Sequence, residues 1–134
     1  MLRIRYAKRE GCDISAKPTE LRAVSEVISQ LASAGHGSHL VAGDTSGSPN
    51  PYDQFLSELI VQVTSGPVCA TVDGKTLRVV AGAEFLASFA TFFVFGDDTP
   101  AGHHHHHDYW EGNSYVSPNS VSLVIGVGDE IHAA

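Results

Sequence analysis

The sequence predicts a single α+β domain, residues 1–134, whose antiparallel sheet is built from two ββα-type units with both helices on one face. The length of 134 residues is that of one domain, and an apolar fraction of 43% can supply a core. Two separate segments each combine a strand hairpin with an amphipathic helix. A parallel sheet would need regularly alternating strands and helices, and the pattern does not have them.

The first unit occupies the N-terminal part of the chain. Residues 3–6 alternate charged and apolar side chains as a half-buried strand does, residues 10–11 suit a turn, and residues 12–15 suit a returning strand. Pro18 favours a helix start and Gly35 a helix end. The apolar residues between them recur on one helical face: Leu21, Val24, Ile28 and Leu31.

A long polar segment separates the two units. Residues 36–54 are rich in Gly, Ser, Pro and Asp, and we expect a surface loop without regular structure. Loops of that length are usually functional or disordered. The β-forming residues 59–63 then predict a strand.

The second unit begins with the clearest local signal in the chain. Residues 68–72 and 75–80 flank Asp73-Gly74, which predicts a hairpin with a type I′ turn. A largely apolar helix follows, lined by Phe85, Leu86, Phe89, Phe92 and Phe93. Further strands are expected at His103–Trp110 and at Val121–Val127.

The two cysteines indicate a reducing compartment. Cys12 and Cys69 form no CxxC pair and are too few for a disulfide scaffold, so we expect two small buried side chains. The N-terminus lacks the apolar region of a signal peptide, and no apolar run is long enough to span a membrane. We therefore expect a cytoplasmic protein without a membrane partner.

Charge is distributed unevenly along the chain. Residues 1–22 carry six basic and three acidic side chains, residues 23–78 two basic and five acidic, and residues 79–134 none basic and seven acidic. Nucleic acid is a poor partner for such a chain, because its binding depends on Lys and Arg. A basic protein is a better candidate, although acidity also serves solubility.

Five consecutive histidines, His103–His107, are the most conspicuous candidate site. In a strand, His103, His105 and His107 would point to one face, and His104, His106 and Asp108 to the other. Neutral imidazole is a good ligand for zinc, so a zinc site formed by His104, His106 and Asp108 is one hypothesis. One alternative is a partly exposed strand whose histidines serve packing and the protein surface. Another is a histidine cluster that becomes charged on mild acidification.

Acidic and aromatic residues surround the histidines. Asp97, Asp98, Asp108 and Glu111 predict an acidic surface, and aromatic residues such as Trp110 are frequent interface anchors. The same aromatics are also common in cores. The chain contains no GxSxG elbow, P-loop, GxGxxG or HExxH motif, which argues against several enzyme classes.

The C-terminal part resembles a known family. The pattern is His-x-His-x-acidic-aromatic-aromatic, a Gly turn, then Tyr, Pro, Ser and a Leu-Val strand, carried here by His104, His106, Asp108, Tyr109, Trp110, Gly112, Tyr115, Pro118, Ser120, Leu123 and Val124. It is similar to a bacterial immunity-protein family, number thirty-two, of polymorphic toxin systems. His105 and His107 stand where that pattern has apolar residues. Motif support covers residues 102–125, and the rest agrees in layout only.

The resemblance implies a non-enzymatic protein that neutralises a cognate toxin domain. We therefore predict a cofactor-free binding protein whose contact residues are Asp97, Asp98, Asp108, Trp110 and Glu111, with a basic toxin domain as partner. The alternative is a zinc-binding protein or metal-dependent hydrolase that uses His103–His107. A homodimer paired through a sheet edge is a further possibility.

Overall fold

The computed structural model describes residues 1–128 and confirms the α+β class. Asp129, Glu130 and His132 lie outside the described residues. The helices are α1 (Pro18–Ala34) and α2 (Ala83–Ala90), and a 3₁₀ turn at Thr91–Phe93 extends α2. The strands are β1 (Arg3–Ala7), β2 (Gly11–Ala16), β3 (Ser38–Ala42), β4 (Gln54–Leu56), β5 (Glu58–Val63), β6 (Cys69–Asp73), β7 (Thr76–Ala81), β8 (His104–His107) and β9 (Leu123–Val127).

The first predicted unit is present as β1, β2 and α1. β1 and β2 pair antiparallel, and α1 begins with Pro18 in its first turn. The helix ends where Gly35 takes a left-handed conformation (φ 76°) and donates its N–H to Leu31 O. Of the predicted apolar face, three residues are buried and Leu31 is partly buried.

The second unit, β6, β7 and α2, repeats this order, but its turn differs from the prediction. Asp73 pairs directly with Thr76, so the two turn residues are Gly74 and Lys75. Gly74 has a φ of 61°, and no residue other than glycine has a positive φ in the described chain. A positive φ at the first turn position alone is typical of a type II′ turn. The predicted turn is therefore wrong in type and is displaced by one residue along the chain.

The strands form two sheets rather than the single antiparallel sheet expected from the sequence. One has the order β4-β1-β2-β9-β8 and the other β3-β5-β7-β6. Most neighbours are antiparallel, but β2 with β9 and β5 with β7 are parallel. β3, which follows α1, lies in the sheet of β6 and β7, and β8, which follows α2, lies in the sheet of β1 and β2. Local sequence does not reveal this arrangement.

The segment 36–54 contains more structure than predicted. Residues Ser38–Ala42 form β3, which pairs antiparallel with β5 at the edge of the four-stranded sheet. Most of β3 is exposed, so its sequence lacks the buried alternation that would have revealed a strand. The interpretation of residues 36–54 as one unstructured loop is therefore wrong for its first part.

The two helices pack against each other over the sheets. Ser25 of α1 donates its hydroxyl hydrogen to Ala90 O of α2 at 2.8 Å, which satisfies a buried polar group at the contact. The core combines apolar residues from both sheets and both helices, and its largest fully buried side chains include Phe89 and Phe93. Neither helix of residues 1–128 has the length and apolar character needed to cross a bilayer.

Candidate functional site

The histidine run lies on β8, an edge strand of the five-stranded sheet. The strand covers His104–His107 and is shorter than the predicted His103–Trp110, because His103 lies before it and Asp108, Tyr109 and Trp110 lie after it. His107 pairs with Leu123 and His104 with Gly126 of β9. The predicted alternation of faces is present, and it divides the histidines into two different environments.

Of the two inward histidines, His107 belongs to the core, whereas His105 remains exposed. His107 is only 4% exposed, and its ring lies edge-on to Phe89 and Phe92 with centroids 4.9 and 4.7 Å away. His105 stacks on Phe95 at 4.5 Å, and its Nδ1 is 3.0 Å from Phe92 O. These are the two positions at which the pattern of the similar family has apolar residues, and of the two only His107 is buried among apolar side chains.

Burial changes the ionisation of His107. Desolvation lowers its pKa below the usual 6.5, and the nearby carboxylate of Asp108 opposes that shift. Its Nδ1 is buried and has no hydrogen-bond partner. The neutral ring is therefore the form that fits this place.

The outward histidines face each other. Nε2 of His104 lies 3.1 Å from Nε2 of His106, and the two rings are nearly perpendicular. Nδ1 of His104 is 2.8 Å from Gly102 O, and Nδ1 of His106 is 3.9 Å from Oδ2 of Asp108. Of the predicted zinc ligands, His104 and His106 are thus brought together, whereas Asp108 approaches the outer ring nitrogen of His106 and not the Nε2 pair.

Metal-ligating residues do not gather further around this pair. Within residues 1–128, no group of three or more His, Cys, Asp or Glu side chains is arranged to hold a metal ion. A catalytic zinc site normally uses three protein ligands and one open position. The described geometry supplies two exposed imidazoles whose Nε2 atoms are 3.1 Å apart.

An exposed loop follows β8 and carries three large aromatic side chains. We call residues 108–115 the aromatic loop. Trp110 is 63% exposed, Tyr115 53% and Tyr109 41%. The alternative that these aromatics belong to the core is therefore wrong, and the predicted contact residue Trp110 stands in solvent.

Hydrogen bonds within the aromatic loop fix its shape. Asn113 donates from Nδ2 to Asp108 O and from its backbone N–H to Trp110 O, and its Oδ1 accepts from the N–H of Tyr115. Tyr115 O in turn accepts from Val68 N, and its ring meets Phe85 edge-on at 5.6 Å. Asn113 is not among the site residues predicted from the sequence, although an Asn after a Gly in a turn is the signal that points to such a role.

The predicted acidic residues fall into two groups. Asp108 and Glu111 belong to the aromatic loop, whereas Asp97 and Asp98 lie in the connection between α2 and β8. Asp97 forms an ion pair with Arg22 of α1, which also donates to Phe95 O at 2.6 Å. Asp98 and Glu111 are exposed. The role of Arg22 could not be predicted from local sequence, because its partners are more than seventy residues away.

A separate groove runs between α1 and β3, with a volume of about 410 Å³. It is lined mainly by apolar side chains, among them Val27 and Leu40, and its polar residues are Glu20 and His39. The Glu20 carboxylate is paired with the N-terminal amine of Met1. The groove therefore lacks the convergent polar groups of an active site.

Comparison of the chain with protein-family models, with curated proteins and with solved structures gives no match.

Proposed function

We propose that the chain is a binding protein whose aromatic loop docks onto a basic protein, and that it acts as an immunity protein towards a cognate bacterial toxin domain. The observation that carries the proposal is the exposure of Tyr109, Trp110 and Tyr115 on one loop. The resemblance of residues 102–125 to immunity-protein family thirty-two narrows the partner to a toxin.

Exposed aromatics have an energetic cost that binding can recover. A tryptophan that is 63% exposed leaves apolar surface in water, and burying it against a partner releases that surface. Trp and Tyr are the residues that most often dominate the binding energy of protein interfaces. The three rings therefore form a natural anchor.

The hydrogen bonds of Asn113 support the same proposal. A loop that already has its bound shape loses less conformational entropy on association than a mobile loop does. Asn113 ties the loop at Asp108, Trp110 and Tyr115, and the bond from Val68 holds its far end to the fold. Trp110 is thus presented on a constrained backbone.

Charge selects the class of partner. Asp108 and Glu111 flank the aromatics, and residues 79–134 contain no Lys or Arg to offset them. Asp98 adds an exposed carboxylate, whereas Asp97 is matched by Arg22 and contributes less. Such a surface favours encounter with a basic protein, and the rate should fall with ionic strength.

The test uses the toxin domain encoded beside this chain's gene as the titrant. Trp110 is the sole tryptophan, so its fluorescence reports the aromatic loop directly. We expect binding to shift its emission to shorter wavelength, and Trp110→Ala to weaken binding measured calorimetrically by about 2 kcal/mol or more. Leu40→Ala is the matched control, because Leu40 is also exposed but lies on β3.

Charge variants test the second part of the proposal. Glu111→Gln with Asp98→Asn should slow association at low salt, whereas Asp53→Asn, an exposed carboxylate elsewhere, should not. Absence of binding at micromolar concentrations contradicts the proposed function. Equal effects of Trp110→Ala and Leu40→Ala place the interface elsewhere.

A further inference from the structure

We propose that His104 and His106 form a surface site for a divalent late first-row metal ion such as zinc, with their two Nε2 atoms as the protein ligands and Asp108 orienting His106. This site goes beyond the proposed function, although both use Asp108. It also differs from a three-ligand zinc site, because Asp108 lies next to Nδ1 of His106 and not beside the ligand atoms.

The tautomer of His104 is set by the backbone. A carbonyl oxygen only accepts, so Nδ1 of His104 must carry the hydrogen that it donates to Gly102 O at 2.8 Å. A neutral His104 therefore presents the lone pair of its Nε2 towards His106. This hydrogen bond from the outer nitrogen is the usual support of a metal-bound histidine.

His106 cannot satisfy both of its neighbours as a neutral ring. If its hydrogen is on Nε2, it donates to His104 but turns the lone pair of Nδ1 towards the Asp108 carboxylate, 3.9 Å away. If its hydrogen is on Nδ1, it faces Asp108 favourably, but two Nε2 lone pairs then meet at 3.1 Å. A cation bound by both Nε2 atoms removes the conflict in the second arrangement.

The distance between the two nitrogens suits a shared ion. With zinc–nitrogen bonds of about 2.0–2.1 Å, two nitrogens 3.1 Å apart subtend an angle of about 100° at the metal. That angle lies between those of square and tetrahedral coordination, the geometries that zinc, copper and nickel adopt with imidazole.

The surroundings leave room for further ligands. Both rings are on the solvent side of β8, and the His106 side chain is 61% exposed. The remaining coordination positions are therefore open to water or to a donor from another molecule. β8 itself is held in the sheet by its pairing with β9, so the backbone positions of His104 and His106 have a fixed spacing.

The test is a Zn²⁺ titration of untagged protein that has never met a nickel resin and has been treated with chelator. One zinc ion should bind per chain at neutral pH, and His104→Ala or His106→Ala should each raise the dissociation constant about tenfold or more. His103→Ala is the matched control, since His103 belongs to the same run but lies before β8. Its dissociation constant should change by less than about twofold. Cu²⁺ measured in parallel should bind more tightly than Zn²⁺.

Asp108→Asn tests the positioning role by a different readout. Long-range ¹H–¹⁵N spectra of the zinc-bound protein should show His104 and His106 protonated at Nδ1 and bound through Nε2, and the His106 pattern alone should weaken in Asp108→Asn. Failure to bind Zn²⁺ overturns the proposal. Equal losses in His103→Ala and His104→Ala also overturn it, because they indicate unspecific chelation by the run.

Discussion

The imidazole of His107 lies edge-on against the ring of Phe92, with centroids 4.7 Å apart, at a place where the core is otherwise apolar. Burial lowers the pKa of His107, so the folded state prefers the neutral ring more strongly than the unfolded chain does. Between the lowered pKa and the ordinary value of 6.5, the unfolded chain binds more protons. Stability is therefore complete above about pH 6.5 and decreases as the pH falls through that window.

His107→Leu should remove this loss. Below about pH 6.5, we expect His107 to lower the free energy of unfolding of the parent protein by no more than about 1.4 kcal/mol per pH unit. The variant should lack this contribution. At neutral pH the variant should be equally or more stable, because Nδ1 of His107 has no hydrogen-bond partner to lose. Urea titrations across the pH range measure both effects, with the exposed His103→Leu as control. Parallel pH profiles for parent and His107→Leu would refute the argument.

Gly126 has no space for a side chain. A Cβ there would lie 2.7 Å from His103 O and 2.7 Å from His104 Cβ, so Gly126→Ala must push β8 away from β9. We expect a loss of about 1–3 kcal/mol on thermal or urea unfolding. At Gly128 a Cβ meets its nearest neighbour, Ser15 Cβ, at 3.4 Å, so Gly128→Ala should change stability by less than about 0.5 kcal/mol. Similar losses in both variants would contradict this account.

Arg22 fastens the connection that follows α2. It donates to Phe95 O and pairs with the exposed carboxylate of Asp97. Asp97→Asn removes only the ion pair and should cost less than about 1 kcal/mol, while Arg22→Met removes both contacts and should cost about 1–2 kcal/mol more. Unfolding of the two single variants and the double variant measures each contribution. An Arg22→Met loss no larger than that of Asp97→Asn would show that the carbonyl contact is unimportant.

The two thiols should differ in reactivity. Cys12 is buried, and desolvation followed by the charge of Asp13 raises its pKa to about 12, whereas Cys69 is half-buried on β6. Because the thiolate is the reactive form, iodoacetamide at mildly alkaline pH should label Cys69 first and Cys12 only on unfolding. Mass spectrometry of digested protein identifies the site, and Cys69→Ser should leave the native protein almost unlabelled. Fast labelling of Cys12 in that variant would contradict its burial.

The expectation of two buried cysteines is confirmed for Cys12 and only partly for Cys69, which is half-buried.

Local signals in the sequence predicted local structure well. Pro18 and Gly35 marked the ends of α1, and the alternation of His104 to His107 placed their side chains on opposite faces. The hairpin of β6 and β7 was also correct, although Gly74 occupies the first position of its turn and not the second. In these cases the responsible contacts lie within a few residues along the chain.

Distant contacts explain what the sequence did not reveal. β3 is a strand because β5 lies beside it, and its own residues carry little sign of that pairing. Arg22 and Asp97 meet only after α1 and α2 have packed. The contrast between buried His107 and exposed His106 likewise depends on where Phe89 and Phe92 lie, so five identical residues have different environments.

The exchange of strands between the two units has a consequence for biosynthesis. β2 is synthesised early, yet its parallel neighbour β9 ends at Val127, more than a hundred residues later. During translation the edge of β2 that will pair with β9 therefore stays unpaired until β9 has been synthesised. A nascent chain that stops before Leu123 leaves this edge available for misassembly. Such distant pairing predicts slow, all-or-none folding, in which neither half of the polypeptide matures before the other.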